Sequence, residues 1–163
     1  MAAPIQPPEL REDPQSSSTI SRKPIRAAIL PDAALAALRV VSAFMFIQHG
    51  VQKWFGLLLA PDQAFQGAPS LFSPMGIAGT LEVGGGLLLL FGLFTRPVAF
   101  VLSGMMAVAY FTVHAPQGFW PILNRGELAA LYCFVFLAFA ALGGGRFSLD
   151  NVLRHRPRLI LVQ

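Results

Sequence analysis

Charged residues are scarce in this sequence. Lys, Arg, Asp and Glu together make up only 12% of the 163 residues, whereas they make up about a quarter of a typical soluble domain. Hydrophobic residues make up 55%. We therefore expect most of the chain to lie in a lipid bilayer. The net charge of +4 does not indicate nucleic-acid binding, because most basic residues lie outside the apolar stretches.

Cysteine is almost absent as well. Cys133 is the only one, so the chain cannot form an internal disulfide or a C-x-x-C redox pair. His49 and His114 lack the spacing of a haem or metal motif, and no glycine-rich phosphate loop follows a predicted strand. We therefore predict no metal site and no intrinsic cofactor.

The chain divides into three regions by composition. Residues 1–31 are rich in proline and serine and lack the apolar core of a signal peptide, which predicts a disordered cytoplasmic tail. Residues 32–150 hold the apolar segments and form the predicted transmembrane domain. Residues 151–163 are predicted to form a basic cytoplasmic tail.

Four apolar segments predict an all-α fold, a bundle of four transmembrane helices. Helix-capping residues and glycines mark their ends. The segments run from about Ala33 to Leu59, from Pro74 to about Phe94, from Thr95 to about His114, and from Asn124 to about Leu142. The predicted N-caps are Asp32, Ser73, Thr95 and Asn124.

The distribution of Lys and Arg predicts the orientation. With four crossings, ten of these residues fall on the side of the termini, and only Lys53 and Arg125 fall on the other. Because basic loops stay in the cytoplasm, both termini are predicted to be cytoplasmic. We expect Arg39, inside the first apolar segment, to extend its side chain to the cytoplasmic headgroups.

The ionisable residues within the apolar segments are the candidate catalytic residues. His49 and Lys53 are four residues apart, so they share one face of the first helix. Glu82 shares a face of the second helix with Gly85 and Gly86, and such small residues favour close packing. A glutamate on a packed face needs a partner. We predict that Glu82 contacts Lys53 or His49.

Other polar and aromatic residues are predicted at the same level of the membrane. His114, Arg125, Glu127 and Trp120 are candidate substrate-binding residues, and Trp120 with Phe65, Phe72 and Phe119 is expected to line an entrance. A purely structural role also stays open. A buried ion pair can serve only to fix helix register, and Glu127 can simply complement the dipole of the fourth helix.

Five short segments carry a family resemblance. They are residues 49–56 (HGVQKWFG), 82–86 (EVGGG), 92–96 (GLFTR), 126–127 (GE) and 145–150 (GRFSLD). In this order, over roughly residues 35–150, they resemble the DoxX family. The resemblance implies a multi-pass protein of the bacterial inner (plasma) membrane. It also implies a link to quinone and thiol redox chemistry or to defence against oxidative stress.

The resemblance implies a component of a quinone-linked membrane redox system. Lys53 or His49 would donate a hydrogen bond to a quinone oxygen, and Glu82 would set their charge or relay a proton. Electrons would come from a partner, such as a soluble oxidoreductase, or from a bound cofactor, since the chain has no redox group of its own. Besides the lipid bilayer, a second copy of the chain is a further expected partner. A non-catalytic scaffold or assembly factor and a small-molecule permease stay open as alternatives.

Overall fold

A computed structural model describes residues 25–154, with side chains from residue 29 onward, and its regular structure is entirely helical. The α-helices are α1 (Ile25–Phe55), α2 (Pro74–Phe91), α3 (Thr95–Ala109), α4 (Glu127–Leu142) and α5 (Leu149–Arg154). A π-helical turn, Tyr110–His114, and a 3-10 turn, Ala115–Gln117, prolong α3. Most of each predicted terminal tail lies outside the described residues.

Three helical segments of the described chain are long and apolar enough to cross a membrane. They are Ile29–Phe55, Pro74–Phe91 and Thr95–Gln117. The fourth, Glu127–Leu142, is shorter and equally apolar. The predicted all-α fold is confirmed, while the fourth crossing and the cytoplasmic location of the termini stay predictions.

Helix α1 begins and ends earlier than the sequence predicts. It starts at Ile25 and continues through Pro31, so Asp32 lies inside the helix and is not its N-cap. Proline removes one backbone hydrogen bond near the start of a long helix without ending it here. The helix stops at Phe55 because Gly56 takes the left-handed conformation, with φ of 63°.

Two of the predicted N-caps for the later helices are corrected. Ser73 does cap α2, accepting a hydrogen bond from the Gly76 N–H at 3.1 Å. Thr95, in contrast, is the first residue of α3. Asn124 closes the preceding loop, where its Oδ1 accepts from the Gly126 N–H at 2.8 Å, and Gly126 takes the N-cap position of α4.

The cap of α3 comes from a distant part of the chain. The carboxylate of Asp150, on α5, accepts hydrogen bonds from the N–H groups of Phe94 and Thr95, both at 2.8 Å. Partial burial opposes ionisation of this carboxyl, but these backbone hydrogen bonds and the nearby charge of Arg154 outweigh it. The pKa of Asp150 therefore lies below its ordinary value. This cap fastens α5 to the turn between α2 and α3.

The helices pack as two hairpins, α1 with α2 and α3 with α4. In the first hairpin, Gly50 lets the backbones approach closely, because a Cβ atom there would lie 2.7 Å from the Gly79 carbonyl oxygen. Aromatic side chains join the hairpins, with the rings of Phe46 and Phe136 edge to face at 4.8 Å. The buried core is Ala43, Phe46, Leu89, Ala99, Leu102, Tyr132, Phe136 and Phe139.

Arg39 is buried at one end of the bundle, which we call the Arg39 end. Its side chain is 2% exposed and donates hydrogen bonds to the carbonyls of Leu89, Leu90 and Phe147 at 2.6 to 2.7 Å. The expectation that Arg39 extends to the headgroups is therefore wrong. The carbonyls at the C-terminal end of α2 carry partial negative charge, so they hold the guanidinium inside the protein.

Candidate ligand-binding site

The opposite end of the bundle holds a buried ion pair, and we call it the Lys53 end. The Nζ atom of Lys53, in the last turn of α1, lies 2.6 Å from each carboxylate oxygen of Glu82 on α2. The side chains of Lys53 and Glu82 are 24% and 7% exposed. The predicted contact of Glu82 with Lys53 is confirmed.

Close packing of α1 on α2 explains why these two charges meet. Gly50 lies one helical turn before Lys53, and a Cβ atom at that position would lie 3.0 Å from the Cβ of Glu82. On the same face of α2, a Cβ atom at Gly86 would lie 2.6 Å from Ile47. The packed glycine face predicted for α2 is thus present, and it brings Glu82 against α1.

The alternative prediction was a contact between Glu82 and His49, but His49 packs against a different residue. Its ring packs edge-on against Tyr132 of α4, with centroids 6.4 Å apart and planes at 88°. Tyr132 is 4% exposed, and its hydroxyl is buried without a hydrogen-bond partner among residues 25–154. His49 therefore links α1 to α4, whereas Lys53 links α1 to α2.

A cavity of about 880 Å³ lies beside the ion pair, between the two hairpins. Residues from α1, α2, α3 and α4 line it. Five of the predicted site residues share its wall, although they come from distant parts of the sequence. They are His49, Lys53, Glu82, His114 and Arg125.

The cavity is not fully enclosed, and apolar side chains of α2 and α3 form part of its exposed wall. Met75 and Ile77 of α2 and Val101 and Val108 of α3 line it and are also about half exposed. These four side chains are apolar and lie on segments that can cross a membrane. The opening is therefore bordered by side chains suited to contact lipid tails.

The π-helical turn places His114 at the edge of the cavity. Its Nδ1 lies 3.0 Å from the carbonyl oxygen of Asn124, and its ring stacks on Tyr110 with centroids 6.4 Å apart. Arg125 follows in the loop with φ of 57° and is exposed. Arg125 therefore lies nearer the surface than the ion pair, whereas His114 is partly exposed, as Lys53 is.

Two predicted substrate-binding residues do not line the cavity. Glu127 is exposed in the first turn of α4, the position that suits a carboxylate complementing the helix dipole. Trp120 lies on the loop before α4 and is 62% exposed. None of the four aromatic residues expected at an entrance is part of the cavity wall: Phe65, Phe72, Phe119 and Trp120.

The sequence did not single out several residues that shape the site. Phe46 and Tyr132 form the inner wall, and Met105 and Met106 lie on the α3 side. Tyr132 had one recognisable signal, since it brings a hydroxyl into an otherwise apolar helix. Within the described residues, no group of three or more His, Cys, Asp or Glu converges as a metal site would require.

Fold and site together define a small multi-pass membrane protein with a cavity between its helices. Residues 34–115 match the DoxX family. The chain is 47% identical over 122 residues to an uncharacterised protein of Haemophilus influenzae, covering 72% of this chain and 88% of that protein. The chain belongs to the DoxX family.

Two further relatives bear on its location. The inner membrane protein YqjF of Escherichia coli is 30% identical, covering 78% of this chain and 97% of that protein. An uncharacterised membrane protein of Mycobacterium tuberculosis is 28% identical, covering 76% of this chain and 83% of that protein. No solved structure matches the chain. The chain is a multi-pass protein of the bacterial inner membrane.

Proposed function

We propose that this protein is the membrane component of a quinone-linked redox system and that its cavity binds the quinone. The observation that carries the proposal is a buried Lys53–Glu82 pair in the wall of a lipid-bordered cavity. An ammonium group has three N–H donors. The two carboxylate oxygens of Glu82 take two of them, so one donor is left for a ligand oxygen.

A quinone fits this combination of groups. Its ring is apolar and suits the methionine and aliphatic wall, and its carbonyl oxygens accept hydrogen bonds. Reduction to the quinol consumes two electrons and two protons. Glu82, Lys53 and His49 are the titratable groups that would move protons at the ligand. A soluble oxidoreductase partner would supply the electrons, and a second copy of the chain is a further proposed partner.

The predicted topology gives this site a location in the cell. With four crossings and cytoplasmic termini, the Lys53 end would lie toward the outer leaflet of the inner membrane. Protons exchanged at the site would then come from the outer side. The scaffold remains the rival function, since an ion pair that only fixes helix register requires no ligand.

Quinone binding can be measured by the fluorescence of Trp54. This residue lies beside the ion pair, where its indole nitrogen would be 2.8 Å from a Cβ atom at Gly79. Trp54 and Trp120 are the only tryptophans, so a Trp120→Phe background isolates it. We expect menadione, a tailless naphthoquinone, to quench this fluorescence saturably in the purified protein.

Glu82→Gln tests the role of the ion pair, and Glu127→Gln is the matched control on an exposed glutamate outside the cavity. We expect Glu82→Gln to weaken menadione binding about tenfold, because Lys53 loses the carboxylate that orients it. Glu127→Gln should bind as the wild type does. A wild type without saturable binding, or a Glu82→Gln variant that merely fails to accumulate, would favour the scaffold.

A further inference from the structure

We propose that the ligand reaches this cavity sideways from the bilayer, between α2 and α3. In the bound state its polar head lies beside Lys53 and Glu82, and its apolar tail stays in the opening between the two helices. The identity of the ligand as a quinone rests on the proposed function. The lateral opening itself rests on the packing of the helices.

The two helices that border the opening pack closely about midway along their length. There Gly85 packs against Leu102, where a Cβ atom on the glycine would lie 2.8 Å from the leucine side chain. Toward the Lys53 end they separate, and the cavity fills the space between them. The opening thus lies between α2 and α3 on the Lys53 side of this contact.

The rim of this gap is apolar on both sides. Met75 and Ile77 on α2 face Val101 and Val108 on α3 across the cavity. All four are about half exposed on the outer surface of membrane-spanning segments. A continuous apolar surface therefore runs from the lipid-facing exterior to the ion pair. A hydrocarbon tail can lie along this surface without leaving an apolar environment.

The interior of the cavity selects a neutral head. Lys53 and Glu82 carry opposite charges and neutralise each other, so the pair offers no net charge to a ligand head beside it, and the cation Arg125 of the same wall is exposed at the surface. Met105 and Met106 line the space between the pair and the rim. Methionine side chains adapt to ligands of different shape. The volume of about 880 Å³ lies within the range of small-molecule sites.

Two valine-to-tryptophan variants test where the tail lies. Val108→Trp narrows the opening, whereas Val41→Trp places the same side chain on a lipid-facing position of α1 outside the cavity. Menadione has no tail, and ubiquinone-10 has a long one. In vesicles, Val108→Trp should weaken ubiquinone-10 binding about tenfold and leave menadione binding within about twofold of the wild type. Val41→Trp should change neither.

Each other outcome has a definite meaning. Unchanged binding of both quinones to Val108→Trp, or an equal loss of both, would overturn the placement of the tail while the proposed quinone function stands. A wild type that binds neither quinone would overturn the proposed function. Whether the cavity opens to the bilayer can then be decided by a measurement that needs no quinone.

Spin labelling at Met106 provides that measurement. Cys133→Ala removes the native thiol, and Met106→Cys introduces a label on the cavity wall. If the cavity opens to the bilayer, the label will collide more often with oxygen, which concentrates in lipid, than with a water-soluble nickel chelate. A label at Leu131, an exposed residue of α4, is the lipid-facing control. Preferential collision with the nickel chelate would overturn the lateral opening.

Discussion

Each end of the bundle holds a cation, Arg39 fully buried at one end and Lys53 partly buried at the other, in different surroundings. At the Arg39 end, backbone carbonyls of α2 and of the segment before α5 surround the guanidinium. At the Lys53 end, the ammonium meets a single carboxylate and borders an open cavity. The first arrangement uses its charge to join parts of the backbone. The second leaves one N–H donor of Lys53 beside the cavity, which is why the proposed ligand is placed at the Lys53 end.

The largest effect is expected at the Arg39 end. Arg39→Met keeps much of the side-chain volume but leaves the carbonyls of Leu90 and Phe147 without their donor. We expect it to lower the free energy of unfolding by about 3 kcal/mol, with reduced accumulation in membranes. Thermal unfolding in detergent measures the change. Arg146→Met, at an exposed arginine of the same end, is the control and should cost little.

If Arg39→Met and Arg146→Met were equally stable, the Arg39 end would not differ from the Lys53 end in the way described above. It would mean that the buried guanidinium contributes no more to the free energy of unfolding than a surface charge does. The carbonyls it contacts would then have to find other donors, for instance water entering from the adjacent membrane surface.

A smaller effect is expected from Lys53→Met, because Lys53 is partly exposed and Glu82 can take up a proton. Removing the ammonium leaves the carboxylate buried and should destabilise the protein by about 2 kcal/mol. Replacing both residues, Lys53→Met with Glu82→Gln, should recover most of this loss. A double-mutant cycle from thermal unfolding gives the coupling between them. Additive single effects would show that the two charges do not act as a pair.

The smallest effect concerns the cap on α3 and depends on pH. Asp150→Ala removes the acceptor for Phe94 and Thr95 and should cost about 1 kcal/mol at neutral pH. The pKa of Asp150 is lowered in the folded protein, so its contribution is complete above the ordinary value of 3.8 and disappears as pH falls through the folded value. The difference between wild type and variant should therefore shrink below about pH 4.

Asp62→Ala, at an exposed aspartate in the loop between α1 and α2, is the control for this measurement and should show no such pH dependence. A stability difference for Asp150→Ala that persists unchanged in acid would show that the cap does not require the ionised carboxylate.

Local patterns predicted the Lys53 end better than the Arg39 end. The four-residue spacing of His49 and Lys53 and the glycines after Glu82 identify faces that must pack, so the ion pair follows from short-range sequence. The partners of Arg39 are backbone carbonyls far along the chain, and a carbonyl has no side-chain signature. Arg39 therefore looked like a residue at the membrane surface.

The cavity was foreseen only through its polar residues. Its apolar wall, including Phe46 and the two methionines, depends on how far the hairpins stand apart, which aromatic contacts between α1 and α4 determine. Trp120 was misplaced for a related reason. An aromatic residue in a loop suits the membrane interface whether or not it borders a cavity.

The π-helical turn Tyr110–His114 corresponds to a one-residue insertion in an α-helix. Side chains beyond it are rotated by about 100° relative to an uninterrupted helix, since each α-helical residue advances by that angle. This rotation lets His114 share the cavity with Met106, while Thr95–Ala109 keeps ordinary helical phase. Gain or loss of one residue at this point would therefore exchange which side chain borders the cavity while the helical phase of Thr95–Ala109 stays unchanged.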